Sequence, residues 1–278
     1  MNQSEEIDDQ QKIKLDLQVN TYVPKPLQSW KEKEAEQKAL KNFQKQQRRE
    51  QLVKTMSPEE LAQYDAVHVE FKTKMIEENQ NKRKNAREKI KVAHKIIIDC
   101  SYYELMRPSE LKSLRQQIMY CYGLSMKSPN PLRIQLLNYS EEYLQLSKID
   151  GFTSWEVDHI TSYPENAVYL TADSTTMMET YSTESILVIG GLVDRNRYKN
   201  ITLKKAVEHN MKTICIPIKQ HVKLQSSQVI TVNQIFELVQ FMNEGSTVAE
   251  ACIKAIPERK VKSANDSKEN VQQEENVE

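Results

Sequence analysis

Apolar residues are thinly scattered up to about residue 93, and from there they gather into short, dense runs. From Trp30 to Lys54 the chain is rich in Lys, Glu, Gln and Ala, all good helix formers. Its few apolar positions, Ala35, Ala39, Leu40, Phe43 and Leu52, predict a helix too polar to bury a wide face. "SPEE" at Ser57 to Glu60 has the form of a helix start, with Ser57 as N-cap, Pro58 in the first turn and Glu60 closing a capping box. A second helix is expected from there to about Val92. The pattern changes at His94. "HKIIIDCS" places three isoleucines before Asp99, the form of a strand buried on both faces. Leu111, Leu114, Ile118 and Tyr122 then recur at helical spacing, with Gly123 as the expected stop. "LRIQLLNY", "AVYLTADS", "ILVIGG" and "TICIPI" read as four more strands. "TLKKAVEHN" reads as a short helix capped by Thr202, and "TVNQIFELVQFMNEG" and "TVAEACIKAI" as closing helices. Short apolar strands alternating with helices predict an α/β domain with a mostly parallel sheet, over about residues 94–260.

Charge adds a second division. Lys+Arg and Asp+Glu both number 39, so the total says nothing about partners. Lys31 to Lys54, however, carries 8 basic and 4 acidic residues, and Lys72 to Lys95 carries 9 and 3. The ends are acidic, with Glu5, Glu6, Asp8 and Asp9 at the start and Glu269, Glu274, Glu275 and Glu278 at the finish. The expected organisation is a polar tail over residues 1–29, a basic helical region over 30–93, the α/β domain over 94–260 and an acidic tail over 261–278. The basic region suits RNA phosphates, or equally a charged coiled-coil-like helix. The cysteines Cys100, Cys121, Cys215 and Cys252 are scattered, without metal-ligand spacing, which fits a reducing compartment, nucleus or cytoplasm. No apolar run reaches the roughly 18 residues that a bilayer span needs, so no membrane partner is expected.

The candidate chemistry sits at strand ends, where ligands bind in open α/β sheets. There is no GxGxxG and no GxxxxGK[ST], so a nucleotide-like cofactor would need another loop chemistry. "IGGLVDRNRYKN" carries Gly190 and Gly191, two of only 5 glycines, and delivers Asp194 among Arg195, Asn196, Arg197 and Lys199. Glycine lets a backbone approach a ligand closely. By itself Asp194 reads either as a loop carboxylate capping nearby N–H groups or as an active-site base.

"IIIDCSYYELM", "SLRQQI", "YLTADS", "IGGLVDRNRYKN", "IPI" and "TVNQIFEL", in this order, resemble the tRNA N1-purine methyltransferases that act on the ninth nucleotide. The resemblance covers about residues 30–260. It implies a SPOUT-class fold: a mostly parallel α/β sheet with a C-terminal trefoil knot, preceded by a basic helical region. It implies S-adenosylmethionine as methyl donor, with S-adenosylhomocysteine as product, no metal, tRNA as partner and action as a monomer. Carried onto this chain, the cofactor wall is Leu170, Gly190, Gly191, Leu203, Ile216, Thr231, Val232 and Asn233, bordered by Arg195, Asn196, Arg197, Tyr198 and Lys199. Asp194 becomes the candidate base, because N1 of guanine carries a proton at neutral pH, and such a base contributes about 10²–10⁴-fold. Gln117 matches the family's glutamine and either contacts the target base, orients its neighbours or faces solvent. Asn196 is expected to hold the loop. Two alternatives are adenine, or both purines, as target, and a tRNA-binding or chaperone subunit without activity.

Overall fold

The computed structural model describes residues 30–195, 197–224 and 230–257. They fall into two units, one ending at Met75 and one beginning at Ile76. In the first, helix α1 spans Trp30–Thr55 and is followed by α2, Pro58–Lys91, which continues into the second unit. The start of α2 is closed reciprocally: the Glu60 N–H donates to Ser57 Oγ at 3.3 Å and the Ser57 N–H to Glu60 Oε2 at 2.8 Å. Arg49 on α1 grips both carboxylate oxygens of Asp65 on α2, a surface pair that contributes little to stability. Leu40, Phe43, Val67 and Phe71 stay exposed, as a narrow apolar face requires.

The second unit is built on a six-stranded sheet in the order β3-β2-β1-β5-β4-β6. The strands are β1 His94–Asp99, β2 Leu132–Leu137, β3 Asp158–Ile160, β4 Ala167–Leu170, β5 Ile186–Gly190 and β6 Lys212–Ile214. Every pairing is parallel. The connecting helices are α3 Pro108–Lys127, α4 Glu141–Leu144, α5 Ile201–Glu208, α6 Ile218–His221, α7 Val232–Asn243 and α8 Val248–Ala255. In β1, Ile96 and Ile98 enter one core cluster and Ile97 the other, so the triple isoleucine is buried on both faces. Each such side chain contributes about 1.5–3 kcal/mol by leaving water. The larger cluster joins α3, α7 and α8 to the sheet through Leu114, Ile118, Phe236, Leu238 and Cys252. Cys100, Cys121 and Cys252 are buried, and burial pushes the Cys252 thiol up to about 11.

Three local expectations are corrected. Strand β3 carries no apolar run, only "DHI"; it pairs with β2, and Asp158 accepts from Arg133 at 2.5 Å and from Gln135 at 3.2 Å. Helix α3 does not stop at Gly123 but runs one turn further, to Lys127, because Leu124 and Met126 still pack on the core. Thr202 is not a cap. Asn200 takes that position with φ 57°, and Thr202 lies inside α5, sharing a hydrogen bond of 2.8 Å with Thr171. Among the described residues no helix is long and apolar enough to cross a membrane.

Candidate active site

Parallel strands send all their following loops to one edge of the sheet, and the site lies along that edge. A cavity of about 510 Å³ opens beyond β4, β5 and β6. Its apolar wall is Leu170, Ile189, Ile216, Ile218, Val232 and Ile235. Its polar rim includes Thr171, Asp173, Asp194, Lys199, Asn200, Thr202 and Lys219. The volume is within the roughly 300–1,000 Å³ of small-molecule sites. The donor set suits a zwitterionic nucleoside-like ligand, with lysines for a carboxylate, Asp173 for an ammonium or vicinal hydroxyls, and an apolar slot for a flat base.

Gly190 lines this cavity and Gly191 does not. Neither has a positive φ. A Cβ on Gly191 would stand 2.7 Å from the backbone oxygen of Asp99, which already accepts the Gly191 N–H at 2.8 Å. A Cβ on Gly190 would meet Thr202 Cγ2 at 2.9 Å. The glycine pair therefore lets the chain close against β1 and α5; the close neighbour is protein backbone and a threonine methyl.

Beneath Gly190 lies a buried polar cluster that the sequence signals only by the aspartate ending β1. Asp99 is fully buried and accepts from Tyr169 Oη at 2.7 Å, Tyr163 Oη at 2.8 Å and the Ser101 N–H at 3.0 Å. Lys205 Nζ stands 3.6 Å from the same carboxylate and over the Tyr102 ring. Tyr102 and Tyr169 share a hydrogen bond of 2.8 Å. Burial first, and then the Asp99 charge, raise the phenol pKa of Tyr102, Tyr163 and Tyr169. The cluster is held by charged and neutral donors together, so the carboxylate is not an orphaned buried charge.

The loop after β5 is tied down on both sides. Asp194 borders the cavity, and its Oδ2 accepts the Tyr198 N–H at 2.9 Å. Arg195 turns the chain with φ 52°. Arg197 pairs with Glu110 at 2.7 Å, and its guanidinium also reaches the Leu105 carbonyl at 3.4 Å. Tyr198 Oη donates to the same carbonyl at 3.4 Å. The Arg107 N–H first, and also Arg197, hold the Glu110 carboxyl below its usual value.

Of the residues picked from sequence, Leu170, Gly190, Asp194, Tyr198, Lys199, Ile216 and Val232 meet at the cavity. Gly191, Arg195, Arg197, Leu203, Thr231 and Asn233 lie outside its lining, and Asn196 lies outside the described residues. Thr231 and Asn233 engage each other, with Thr231 Oγ1 donating to Asn233 Oδ1 at 2.9 Å. Gln117 faces neither solvent nor the cavity. It is 7% exposed, its Oε1 accepts the Val232 N–H at 2.9 Å and its Nε2 donates to Ser113 at 3.1 Å. It thus satisfies an N–H that α7 leaves without an intrahelical partner. Asp173, Asn200 and Lys219 were missed by sequence reading. With its amide turned so that the nitrogen faces Asp173, Asn200 donates to both carboxylate oxygens, at 3.2 and 3.3 Å, a pairing across two loops that no local motif announces.

Gln117→Leu is expected to leave the Val232 N–H buried and unpaired, costing about 1–3 kcal/mol. The melting midpoint should fall by roughly 2–4 °C per kcal/mol in a chain of this size. Calorimetric affinity for S-adenosylhomocysteine should fall with it, because Val232 forms the cavity wall. Unchanged melting and affinity would contradict this role.

Residues 25–261 match the family model described as tRNA (guanine(9)-N(1))-methyltransferase TRM10/TRM10A. The tRNA (guanine(9)-N1)-methyltransferase of Schizosaccharomyces pombe is 28% identical over 194 residues, covering 66% of this chain and 64% of that protein. The tRNA methyltransferase 10 homolog A of Rattus norvegicus is 32% identical over 190 residues, covering 65% and 57%. The chain thus spans about three fifths of the length of these curated relatives. A crystal structure of full-length spTrm10 in complex with SAH superimposes with a TM-score of 0.53 and 28% identity, covering 59% of this chain and 94% of that one. A second spTrm10 structure gives 0.55 and 29%. The fold is accordingly the SPOUT-class α/β fold of these structures, and the chain belongs to the tRNA (guanine(9)-N(1))-methyltransferase TRM10/TRM10A family.

Proposed function

We propose that this chain transfers the methyl group of S-adenosylmethionine to N1 of the purine at position 9 of tRNA, with guanine as the target. What supports the reading most is the carboxylate of Asp194 at the wall of a small-molecule-sized cavity on the carboxyl edge of the sheet. The spTrm10 complex with SAH supports the cofactor class. S-adenosylmethionine, when bound, supplies a methyl group already activated on sulfonium sulfur. The chain's own work is then to bind, orient and handle one proton. Leu170, Ile216, Val232 and Ile235 would exclude water around the donor, while Lys199 or Lys219 would meet its carboxylate and Asp173 its ammonium or ribose. Asp194 takes the N1 proton of guanine, and its bond to the Tyr198 N–H fixes the direction of the carboxylate. Arg197, locked to Glu110, keeps the loop in place. Holding acceptor and donor in line supplies a further large share of the rate. The target base lies inside a folded tRNA, so it must be extruded before reaction.

The reading includes action as a monomer, and a knot at the carboxyl edge, supported by the return of Ile230 and Val232 to the wall of Leu170 and Gly190. The basic helices take tRNA phosphates. The test is to incubate the full chain with unmodified tRNA and labelled S-adenosylmethionine, then map the product by primer extension. A stop at position 9 is expected; label without that stop, or no label, would overturn the reading. Transcripts with adenine at that position separate guanine from adenine specificity. With six or so phosphate contacts, tRNA affinity should fall about 10³-fold between about 50 and 200 mM salt. A flat salt dependence in a binding assay would remove the helices from RNA recognition.

A further inference from the structure

Two tyrosines lie on the same edge of the sheet but outside the cavity. Tyr103 is in the single helical turn Tyr103–Leu105 that follows β1, and Tyr143 is in α4 after β2. Their rings are stacked, with centroids 4.3 Å apart and planes at 20°. Tyr143 is 37% exposed, so the stack reaches the surface. Because β1 pairs in parallel with β2 on one side and β5 on the other, the segments that carry the pair leave the same edge of the sheet as the Asp194 loop. The turn that carries Tyr103 is joined to the Asp194 loop: Leu105 accepts from both Arg197 and Tyr198, and Tyr198 binds Asp194. An aromatic pair linked through these hydrogen bonds to the Asp194 loop is placed to act with it.

The surroundings say what kind of ligand fits. Glu142 and Glu104 are both exposed beside the pair. The charge of Glu142 first, then burial and the charge of Glu104, raise the Tyr143 phenol pKa. An acidic neighbourhood repels a phosphate and tolerates a neutral planar group bearing N–H donors. Stacking on an aromatic face is sequence-tolerant, since every base has a π-face. We propose that the exposed face of the Tyr103–Tyr143 stack is a platform for a nucleobase of the RNA substrate, one neighbouring the base presented at the cavity. The inference rests on the function proposed above. Holding an adjacent base would stabilise the opened state of the tRNA from which the target reaches Asp194.

The experiment compares the full wild-type chain with Tyr143→Leu and Tyr143→Phe, using unmodified tRNA transcript and S-adenosylhomocysteine as probes. Tyr143→Leu should bind tRNA about tenfold more weakly, the effect of losing one stacked base, and lose kcat/KM at least in proportion. Tyr143→Phe should recover most of both. The salt slope of tRNA binding should be the same in all three, because no phosphate contact is removed. S-adenosylhomocysteine affinity and melting midpoint should not move. Three results would each overturn the platform: tRNA binding by Tyr143→Leu within about twofold of wild type; a parallel fall in melting midpoint and S-adenosylhomocysteine affinity, which would make the pair a packing device; or a shallower salt slope. A wild-type chain that binds tRNA but leaves it unmethylated would sink the functional reading instead, and the binding arm would still test the stack.

Discussion

Asp194→Asn is expected to lower the single-turnover rate on a guanine-9 tRNA by about 10²- to 10⁴-fold, the usual worth of a positioned base. The substitution is close to isosteric. The asparagine Oδ1 can still accept the Tyr198 N–H that Asp194 accepts at 2.9 Å, so the loop should keep its shape. Cofactor and tRNA affinities should therefore stay within about twofold, small beside the loss of rate. The pH profile separates two roles. If the carboxylate takes the proton, the variant loses most of its rate near neutral pH. Its residual activity then climbs toward high pH, where guanine N1 ionises unaided. If the carboxylate only holds the loop, the rate falls but the profile keeps its shape. A tRNA with adenine at position 9 sharpens the comparison, because neutral adenine N1 has a lone pair and no proton to lose. Loss of a base should then matter little, and loss of a scaffold should matter equally for both. A near-wild-type rate on guanine across roughly pH 6–9 would remove Asp194 from the mechanism.

Gly191→Val is expected to damage the fold and the site together. Even the Cβ of alanine would stand 2.7 Å from Asp99 O and 3.2 Å from Ile98 Cγ2, and both belong to the buried end of β1. Backbone cannot swing aside as a flexible side-chain end can. The loop must therefore lift from β1 and break the 2.8 Å bond between the Gly191 N–H and Asp99 O. Overpacking of this kind costs about 1–3 kcal/mol, and the melting midpoint should drop by roughly 2–4 °C for each. Because Gly190 and Asp194 flank the displaced residue and line the cavity, S-adenosylhomocysteine affinity should fall about tenfold or more, the equivalent of about 1.4 kcal/mol. Gly123→Ala is the control. A Cβ there meets nothing within 4 Å, and removing a glycine from a helix interior should stabilise by about 0.5–1 kcal/mol. A Gly191→Val protein that melts and binds as wild type would refute the packing account.

The α/β class, the parallel sheet, five of its strands and the helix start at Ser57 were readable from sequence, because each rests on a pattern within a few neighbouring residues: a triple isoleucine, a helical period, a capping box. Family membership was readable for a similar reason, since "IGGLVDRNRYKN" and "TVNQIFEL" are contiguous strings. The tertiary structure decided what those residues touch. Strand β3 was invisible because three residues with two polar side chains carry no hydrophobic signal; only pairing with β2 makes them a strand. Gln117 reads in sequence as a surface glutamine, a base contact or a residue that orients its neighbours, and its burial against Val232 depends on α3 and α7 packing together across a separation of 115 residues. Gly191 suggests a ligand until Asp99 O, 92 positions earlier in the chain, is found where its Cβ would be. The pairing of Asp173 with Asn200, the burial of Asp99 among Tyr163, Tyr169 and Lys205, and the stacking of Tyr103 on Tyr143 have the same origin. Local sequence determines propensity and period, while side-chain partners at long range are set by how parallel strands bring the ends of distant segments to one edge of the sheet.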